Sequence, residues 1–390
     1  MIKNREDTPY FLIRTSIIDS LLDDISKSLH NKWRNGIIGY SFKTNNLPWI
    51  ISYMKKKNLW AEVVSSDEYQ LAKELGYKTN KIIFNGPAKR KKEFIEAVEG
   101  RAIVNIDSKR ELRWLLECDK NSLKQSNIGL RVNFCLEEMC PGESQCGDDD
   151  GRFGFSYEKG ELKDAIDFMH KNEIPLSGLH LHCSSKTRSL NIYDAIAKVT
   201  VEIIGKYTLH LKYVDIGGGF FGGVAGKPTF RDYFSVVYDI FQKEHLLDDV
   251  NLIIEPGMSV IGAGIDYVTT VVDTKKTKNN TFVLLDGSRI HIDPLMRKTG
   301  YTYQLQRNGV NEDKNIEQVL CGFTCMEGDR FFRINDEPLK EGDFVIFEKV
   351  GAYTMGLSPQ FIEFYPAVYA EIGNEVNLVR EKNIALKFVN

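Results

Sequence analysis

The sequence places a lysine directly after an apolar run. Residues 39–45 read GYSFKTN, and Lys43 follows the run Ile37–Phe42. Such a run is typical of a buried strand, and a buried ammonium is costly unless it has a counter-ion or loses its proton. A lysine amine that has lost its proton is a nucleophile toward carbonyl groups. Lys43 is therefore a candidate nucleophile.

A glycine-rich segment, DIGGGFFGG at residues 215–223, is a candidate anion site. Glycine has no Cβ, so the backbone N–H groups of such a segment can approach an anion closely. Gly217, Gly219 and Gly222 formally match the Gly-x-Gly-x-x-Gly dinucleotide fingerprint. That fingerprint belongs to the first βαβ unit of a domain, whereas this segment follows a late apolar run. The pattern favours one phosphate over a flavin or nicotinamide dinucleotide.

Two further polar groups also follow apolar runs. His180 and His182 alternate in GLHLHCSS, so we expect only one of them to face a ligand, and Glu255 opens the segment EPG. Pyridoxal phosphate requires a lysine for a Schiff base, an anion site for its phosphate and an acid that keeps its pyridine nitrogen protonated. The sequence therefore predicts pyridoxal 5'-phosphate as the cofactor.

Apolar runs precede these residues throughout the first two thirds of the chain. Most of the runs are separated by helical patterns, and Ser65 precedes Glu68 by three residues, as in a capping box. The runs are Ile37–Phe42, Ala61–Val64, Lys81–Phe84, Ala102–Ile106, Ile128–Asn133, Leu176–Cys183, Leu211–Ile216 and Asn251–Ile254. Eight strand–helix units predict an α/β fold, a (β/α)8 TIM barrel with its site at the C-terminal strand ends. A doubly wound open sheet is the alternative.

The pattern changes near residue 265. Short β-prone runs, separated by turn residues, follow at Tyr267–Asp273, Thr281–Asp286, Asp343–Lys349 and Ala367–Tyr369. Pro9–Ile13 is also strand-like. We therefore predict a cofactor-binding barrel over residues 30–265 and a mostly-β domain, sandwich-like or barrel-like, built from residues 1–29 and 266–390.

Composition limits the class of protein. The chain has 390 residues, 42% of them hydrophobic and 27% charged, with a net charge of −3. This charge implies no general attraction to nucleic acid or to anionic membranes. Neither a signal peptide nor a transmembrane run is evident, and seven cysteines in a chain of this size favour a reduced, cytoplasmic protein.

Two local segments require interpretation. The basic run Lys89–Lys92 lies in a helical pattern and is interpreted as a solvated face. Cys135, Cys140 and Cys146 lie in an acidic, glycine-containing segment. Their spacing matches no known zinc pattern and no fourth ligand follows, so we predict a loop near the site and no metal.

In its motifs the chain resembles the pyridoxal-phosphate-dependent ornithine and diaminopimelate decarboxylases, which have an alanine-racemase-like barrel followed by a β domain. The resemblance covers nearly the whole chain, in order. The similar segments are YSFKTN, EVVSSDE, GLHLHCSS, DIGGGF, IIEPG, GFTCMEGD and GAYTM. A single motif of this kind has little weight, but seven in the same order make the resemblance specific.

The resemblance implies roles for individual residues. Lys43 would form the Schiff base, and Cys325, delivered from the second subunit of a homodimer, would protonate the intermediate. The residues implied to bind the cofactor are Lys43, Glu62, Arg131, His182, Ser185, Gly217, Gly218, Gly219, Glu255, Gly257 and Tyr353. His182 would lie over the ring and Glu255 at the pyridine nitrogen.

Departures from the resembled family concern the substrate. Met258 follows EPG where the family usually has arginine, which removes a cation near the phosphate. Met326 follows Cys325 where the family has an acid, and Asp293 stands where the diaminopimelate enzymes have arginine. With Asp329 of the same motif, Asp293 and Met326 are candidate substrate-binding residues. Either Asp293 and Glu327 receive a cationic distal group, or the pocket accepts a larger amino-acid conjugate.

The predicted activity is removal of the α-carboxylate of an amino acid or amino-acid conjugate, with release of CO2 and an amine. A small amino-acid substrate and a homodimer are the expected partners, without nucleic acid or membrane. Two alternatives stay open: an amino-acid racemase on the related barrel, and a non-catalytic regulator that keeps the fold.

Overall fold

The computed structural model describes residues 8–147, 149–247, 250–309 and 314–382. The chain divides into two compact units. The barrel unit comprises the described residues from 21 to 259, and the sheet unit comprises those before residue 21 and after residue 259.

Strands and helices alternate through most of the barrel unit, whereas strands predominate in the sheet unit. The strands are β1 (Tyr10–Arg14), β2 (Ile37–Ser41), β3 (Trp60–Val63), β4 (Ile82–Phe84), β5 (Ile103–Ile106), β6 (Asn127–Asn133), β7 (Phe155–Ser156), β8 (Gly178–His180), β9 (Tyr213–Asp215), β10 (Asn251–Ile254), β11 (Ile265–Lys276), β12 (Thr281–Leu285), β13 (Thr302–Gln306), β14 (Ile316–Cys321), β15 (Arg330–Asp336), β16 (Phe344–Glu348), β17 (Ala367–Ile372) and β18 (Glu375–Arg380). The helices are α1 (Thr15–His30), α2 (Pro48–Lys56), α3 (Ser66–Glu74), α4 (Lys91–Glu99), α5 (Lys109–Leu115), α6 (Lys120–Lys124), α7 (Leu136–Met139), α8 (Glu161–Lys171), α9 (Leu190–Tyr207), α10 (Phe230–Lys243), α11 (Met258–Ile261) and α12 (Arg289–Ile292).

Parallel strands close into a barrel in the barrel unit. Among the described residues, the order is β2-β3-β4-β5-β6-β8-β9-β10, and β10 pairs back with β2. Strands covered on both faces are apolar along their whole length, which is why continuous runs identified them. The predicted (β/α)8 barrel is confirmed, and the open-sheet alternative is wrong.

A tyrosine fills part of the barrel interior. Tyr213 of β9 is buried and donates a hydrogen bond from its hydroxyl to Asn105 Oδ1 at 3.0 Å. A Cβ on Gly178 would lie 2.3 Å from the Tyr213 ring, and a Cβ on Gly129 would lie 2.4 Å from its hydroxyl. Glycine at both positions therefore makes room for the ring.

Local signals fix where α3 begins. The Ser65 side chain accepts a hydrogen bond from Glu68 N at 3.1 Å, as the capping box predicted. The Glu68 carboxylate accepts from Val64 N at 2.8 Å, one residue before the N-cap. Both side chains therefore stabilise the start of the helix. In a capping box the Glu68 side chain would accept from the N–H of Ser65, whereas here it accepts from the N–H of Val64.

The sheet unit is built on a strand from the N-terminus. β1 pairs antiparallel with β11 and parallel with β17, so the predicted strand at Pro9–Ile13 joins the C-terminal sheet. The core beside it contains Tyr10, Leu12, Val268, Phe344, Ile346 and Ala367. The mostly-β character is confirmed. Four strands of this unit were not predicted: β13, β14, β15 and β18. β13 and β18 contain no buried residue, β15 contains only isolated buried residues, and β14 contains a single buried run of three residues, 318–320.

Two other sequence expectations concern the whole chain. All seven cysteines are free thiols, as predicted, while the cytoplasmic location stays a prediction. Within the described ranges, none of the helices is both long enough and apolar enough to cross a membrane.

Candidate active site

Lys43 lies just beyond the C-terminal end of β2. The strand ends at Ser41, and Lys43 belongs to a 3-10 helix, Phe42–Thr44, so the prediction that the strand runs to Phe42 was one residue too long. Its side chain is 38% exposed, and its Nζ lies 3.0 Å from Glu62 Oε2. The ammonium is therefore accessible and paired, and it lies at the C-terminal end of the strand, as the sequence predicted.

Glu62 of β3 is the anion that holds Lys43. Its side chain is fully buried and accepts a hydrogen bond from Ser41 Oγ at 2.5 Å and from Asn85 Nδ2 at 3.0 Å. Burial alone would raise the pKa of Glu62, but the charge of Lys43 and the hydrogen bonds from Ser41 and Asn85 lower it below the usual value. Glu62 is thus held as a carboxylate.

A second pair of acids lies at the ends of β9 and β10. Asn85 Nδ2 also donates to Glu255 Oε1 at 2.5 Å, so one amide joins Glu62 to Glu255. Asp215 is hydrogen-bonded to Glu255 and accepts from Gly217 N at 2.9 Å. Burial raises the pKa of Asp215 to about 7, although its hydrogen bonds with Glu255 and Gly217 N lower it. Burial, followed by the charges of Asp215 and Glu62, raises the pKa of Glu255 well above its usual value. A hydrogen bond between two carboxyl groups requires a proton, so the pair holds at least one.

His180 lies beside this pair. His180 Nε2 is 3.7 Å from Glu255 Oε2, too far for a hydrogen bond, and within the described part of the chain neither ring nitrogen has a hydrogen-bond partner. Burial lowers the pKa of His180, which keeps the ring neutral. His180, Asp215 and Glu255 bring one ligand-type atom each within 4.8 Å, a spacing that also suits a metal ion. The shared proton of the two acids favours an acid pair.

His182 packs against the glycine segment. A Cβ on Gly217 would lie 2.5 Å from His182 Nδ1, and Gly217 and Gly219 have φ of +68° and +94°. A Cβ on Gly218 would lie 2.3 Å from Glu255 O. Burial, followed by the charges of Lys43 and Arg131, lowers the pKa of His182 to about 3. A neutral imidazole therefore lies beside a backbone segment that only glycine can form.

Arg131 of β6 is held from two directions. Its Nη1 lies 3.4 Å from Asp107 Oδ1, and its Nη2 donates to His182 O at 3.3 Å. Behind Asp107, Lys89 Nζ lies 3.1 Å from Glu111 Oε2, and Glu111 also accepts from Asp107 N at 2.9 Å. Lys89 and Glu111 are fully buried, so the interpretation of Lys89 as part of a solvated face was wrong. No local sequence pattern predicted this support for Arg131.

The cysteine-containing segment lies against the residues that follow β8. Ser184 Oγ donates to Glu143 O at 2.7 Å, and Cys140 Sγ lies 3.4 Å from Asn191 O. Ser184 is two residues from His182, so this segment lies near the other predicted site residues of the barrel unit. Ser185, also predicted, approaches the glycine segment, because a Cβ on Gly219 would lie 3.1 Å from Ser185 Cβ.

The remaining predicted site residues belong to the sheet unit. Cys325 is exposed and free, in a turn that Asp329 organises by accepting from Ser288 Oγ at 2.9 Å and from Thr324 Oγ1 at 2.7 Å. A groove of about 440 Å³ opens beside this turn, and Cys325, Met326 and Asp329 contribute to its lining. Tyr353 is 39% exposed and has a φ of +56°.

Asp293 is occupied by neighbours in its own unit. Its carboxylate lies 2.8 Å from Arg289 Nη2 and accepts from Arg297 N at 3.0 Å and Lys298 N at 2.9 Å. Tyr301 donates to the same carboxylate at 3.2 Å. These bonds give Asp293 a structural role at the end of α12.

Comparisons with known families match most of the chain. A family model described as "Pyridoxal-dependent decarboxylase, pyridoxal binding domain" matches residues 20–262. A second, described as "Pyridoxal-dependent decarboxylase, C-terminal sheet domain", matches residues 192–351.

Individual proteins are similar over nearly their full length. The diaminopimelate decarboxylase of Archaeoglobus fulgidus is 27% identical over 365 residues, covering 91% of this chain and 85% of that protein. The enzyme of the same name from Staphylococcus aureus is 24% identical, covering 90% and 86%.

Solved structures show the same fold. The diaminopimelate decarboxylase of M. jannaschii in complex with L-lysine has a TM-score of 0.83 at 22% identity, covering 96% of this chain and 89% of that one. The arginine decarboxylase of Paramecium bursaria Chlorella virus bound to agmatine has a TM-score of 0.75 at 22% identity, covering 90% and 94%.

Proposed function

We propose a substrate class for this protein and a role for each of its site residues. The chain belongs to the pyridoxal-dependent decarboxylase family. It is a pyridoxal-phosphate-dependent amino-acid decarboxylase, as its sequence predicted. Membership of this family favours decarboxylation over the racemase and the non-catalytic regulator.

The residues of the barrel unit fit pyridoxal phosphate. The Lys43 amine is accessible, Glu255 belongs to a buried pair that holds a proton, and the backbone at Gly217 and Gly219 leaves space that a Cβ would fill. Lys43 would bind the aldehyde carbon, Glu255 the ring nitrogen and the glycine segment the phosphate. When bound, the cofactor supplies an electron sink for the electrons left as CO2 departs.

Several residues would act around these three groups. Glu62 orients Lys43 through the 3.0 Å ion pair. Burial, and after it the charge of Asp215, raises the pKa of Glu255, so Asp215 favours a proton on the acid that would face the ring nitrogen. His182, which is neutral, can pack against an aromatic ring without bringing a charge to it. Arg131, Ser185, Gly218, Gly257 and Tyr353 remain proposed cofactor-binding residues.

Cys325 is the proposed acid that protonates the α-carbon. It is exposed on a turn that buried Asp329 fixes, which suits a residue that reaches a barrel unit from the outside. We propose that it serves the barrel of a second copy of the chain, in a homodimer with two shared sites.

The residues predicted to contact the distal end of the substrate favour one class of substrate. The Asp293 carboxylate is occupied by Arg289 and its neighbours, and Glu327 is paired with Arg330 at 2.7 Å. Neither acid is well suited to a cationic distal group. The groove beside Met326 has room for a larger substituent. We therefore favour an amino-acid conjugate, decarboxylated at its α-carbon, over free diaminopimelate or ornithine.

The observation that carries the proposed function is the chain Lys43–Glu62–Asn85–Glu255 at the strand ends of the barrel. CO2 release tests it. Purified protein with pyridoxal phosphate is incubated with meso-diaminopimelate, ornithine and arginine, and with amino acids acylated on the distal amine. We expect more CO2 from a conjugate than from any free amino acid.

Two outcomes of this experiment distinguish a wrong substrate from a wrong reaction. Fastest release from diaminopimelate would contradict the conjugate and leave the decarboxylase in place. Cofactor-loaded protein that released no CO2 from any amino acid or conjugate, and instead racemised one, would overturn the proposed reaction.

A further inference from the structure

Arg188 lies on the segment between β8 and α9 and has an unusual partner. Its Nη2 is 2.8 Å from Met258 Sδ, and its guanidinium carbon is 5.2 Å from the Phe221 ring centroid. A thioether is a weak acceptor, and an arginine normally pairs with carboxylate or phosphate. Among the residues that the structure describes, the Arg188 guanidinium contacts Met258 Sδ and the Phe221 ring and forms no ion pair with a carboxylate. A half-buried guanidinium is therefore directed at an apolar residue.

The segment holds Arg188 in a defined position. Its φ is +56°, a backbone conformation that costs a non-glycine residue free energy, and its carbonyl accepts a hydrogen bond from Tyr233 Oη at 2.6 Å. On either side, Thr187 Oγ1 and Ser189 Oγ donate to the Glu143 carboxylate, the former at 2.9 Å. The side chains of Thr187 and Ser189 are thus held by Glu143, and the Arg188 side chain between them contacts Met258.

Arg188 lies beside the glycine segment, to which the proposed function assigns the phosphate. Phe221, whose ring it contacts, belongs to that segment, and Phe221 N donates to the same Tyr233 hydroxyl at 3.3 Å. A Cβ on Gly222 would lie 1.7 Å from Ser259 O, so the segment also packs directly against the residue after Met258. The Ser259 hydroxyl is buried and has no hydrogen-bond partner within the described ranges.

Arg188, which has only a weak partner, and Ser259, whose hydroxyl has none among the described residues, therefore both lie beside the glycine segment. Guanidinium, hydroxyl and glycine backbone N–H groups are donors that bind a phosphate dianion. We propose that Arg188 supplies the cation that binds the 5'-phosphate of the cofactor, from a different strand connection than Met258, where the resembled family has arginine. This inference rests on the proposed binding of pyridoxal phosphate in the barrel unit.

Binding of two aldehydes by the cofactor-free protein tests the inference. Pyridoxal 5'-phosphate and pyridoxal differ only in the phosphate, and each is titrated into the wild type and Arg188→Met while the absorbance of the bound form is followed. We expect Arg188→Met to weaken binding of the phosphorylated compound roughly 10- to 100-fold, as loss of a charge-assisted hydrogen bond predicts, and to leave binding of pyridoxal unchanged.

Matched variants exclude a general effect of charge or folding. Lys186→Met removes an exposed cation from the same segment and should leave both affinities unchanged. Met258→Arg in the Arg188→Met background returns a guanidinium to this site and should restore binding of the phosphorylated compound. Arg188→Lys, which keeps the charge but not the fork, should fall between wild type and Arg188→Met.

Two results would overturn the assignment. One is an affinity of Arg188→Met for pyridoxal 5'-phosphate that equals the wild-type affinity. The other is an equal loss of affinity for both aldehydes in Arg188→Met, when this variant unfolds at the same temperature as the wild type. If Arg188→Met does not fold, equal losses for both aldehydes in Arg188→Lys would overturn it too. Wild-type protein that bound neither aldehyde would overturn the proposed function as well, so the two failures are distinguishable.

Discussion

Asp215 and Glu255 form a buried acid pair in the barrel unit that shares a hydrogen bond, and with it a proton. Two adjacent carboxylates in apolar surroundings do not both ionise readily. A ring nitrogen facing Glu255 would therefore meet a pair that holds a proton, rather than a single carboxylate. The EPG motif identified Glu255, but nothing local to DIGGGF indicated that its aspartate pairs with a residue on the next strand.

Asp215→Asn should reduce the pH dependence of stability in the cofactor-free protein. Burial raises the pKa of Asp215 to about 7 in the folded state, while the usual value is 3.8. Between these values the folded state binds more protons than the unfolded state, so the free energy of unfolding falls as the pH rises toward 7. Urea unfolding across this pH window measures the slope.

The control for this prediction is Asp67→Asn, a change at an exposed aspartate of the same unit. It should leave the slope as it is in the wild type. If Asp215→Asn and the wild type lost stability in parallel over the window, the shared proton would be contradicted.

At the scale of elements, the strand connections hold ion pairs that fix the site from behind. Lys89 and Glu111 link the residues that follow β4 and β5, and Glu111 holds the backbone of Asp107, which pairs with Arg131. The apolar runs predicted the strands because buried parallel strands are apolar throughout. The same runs could not predict that Lys89 is buried. Lys89 begins a run of four basic residues, and nothing in that run distinguishes a buried lysine from an exposed one.

Lys89→Met should destabilise the barrel unit strongly. The change leaves the Glu111 carboxylate buried without its cation, and breaking a buried pair in this way costs about 3 to 5 kcal/mol. Lys89→Met combined with Glu111→Leu removes both charges and should recover most of the loss. Urea unfolding of the two variants measures the difference.

Lys91→Met, at a half-exposed position of the same basic run, is the matched control and should change stability little. A Lys89→Met variant as stable as the double variant would show that the pair does not have the structural role assigned to it.

At the scale of the whole molecule, fold, family and cofactor were predictable because seven motifs occur in order along one chain. The contacts of the residues assigned to the distal pocket could not be predicted in this way. Asp293 was predicted to face the substrate, yet Arg289 stands four residues before it, and residues four apart on a helical turn meet. That spacing is visible in the sequence, but only the folded turn shows that Tyr301 and two backbone amides also bind the carboxylate.

The proposed homodimer predicts that two inactive variants restore activity when combined. Lys43→Ala lacks the nucleophile and Cys325→Ala lacks the acid, so each alone should release almost no CO2. In mixed dimers, one of the two shared sites contains both native residues, and random exchange should restore about a quarter of the wild-type activity.

Mixing after mild denaturation and renaturation allows subunits to exchange, and Lys43→Ala mixed with itself is the control. Activity no greater than the sum of the separate variants, in a mixture that has exchanged subunits, would contradict a site shared between two copies.

Covalent labelling of Lys43 tests the central claim most directly. Borohydride reduces the carbon–nitrogen bond between a lysine and pyridoxal phosphate, and mass spectrometry of the digested protein locates the added mass. We expect the label on the peptide that contains Lys43, with no cleavage by trypsin at that residue, and no label in Lys43→Ala. A label on another lysine, or wild-type protein that binds the cofactor and stays unlabelled, would contradict the assignment of Lys43 as the residue that binds the cofactor.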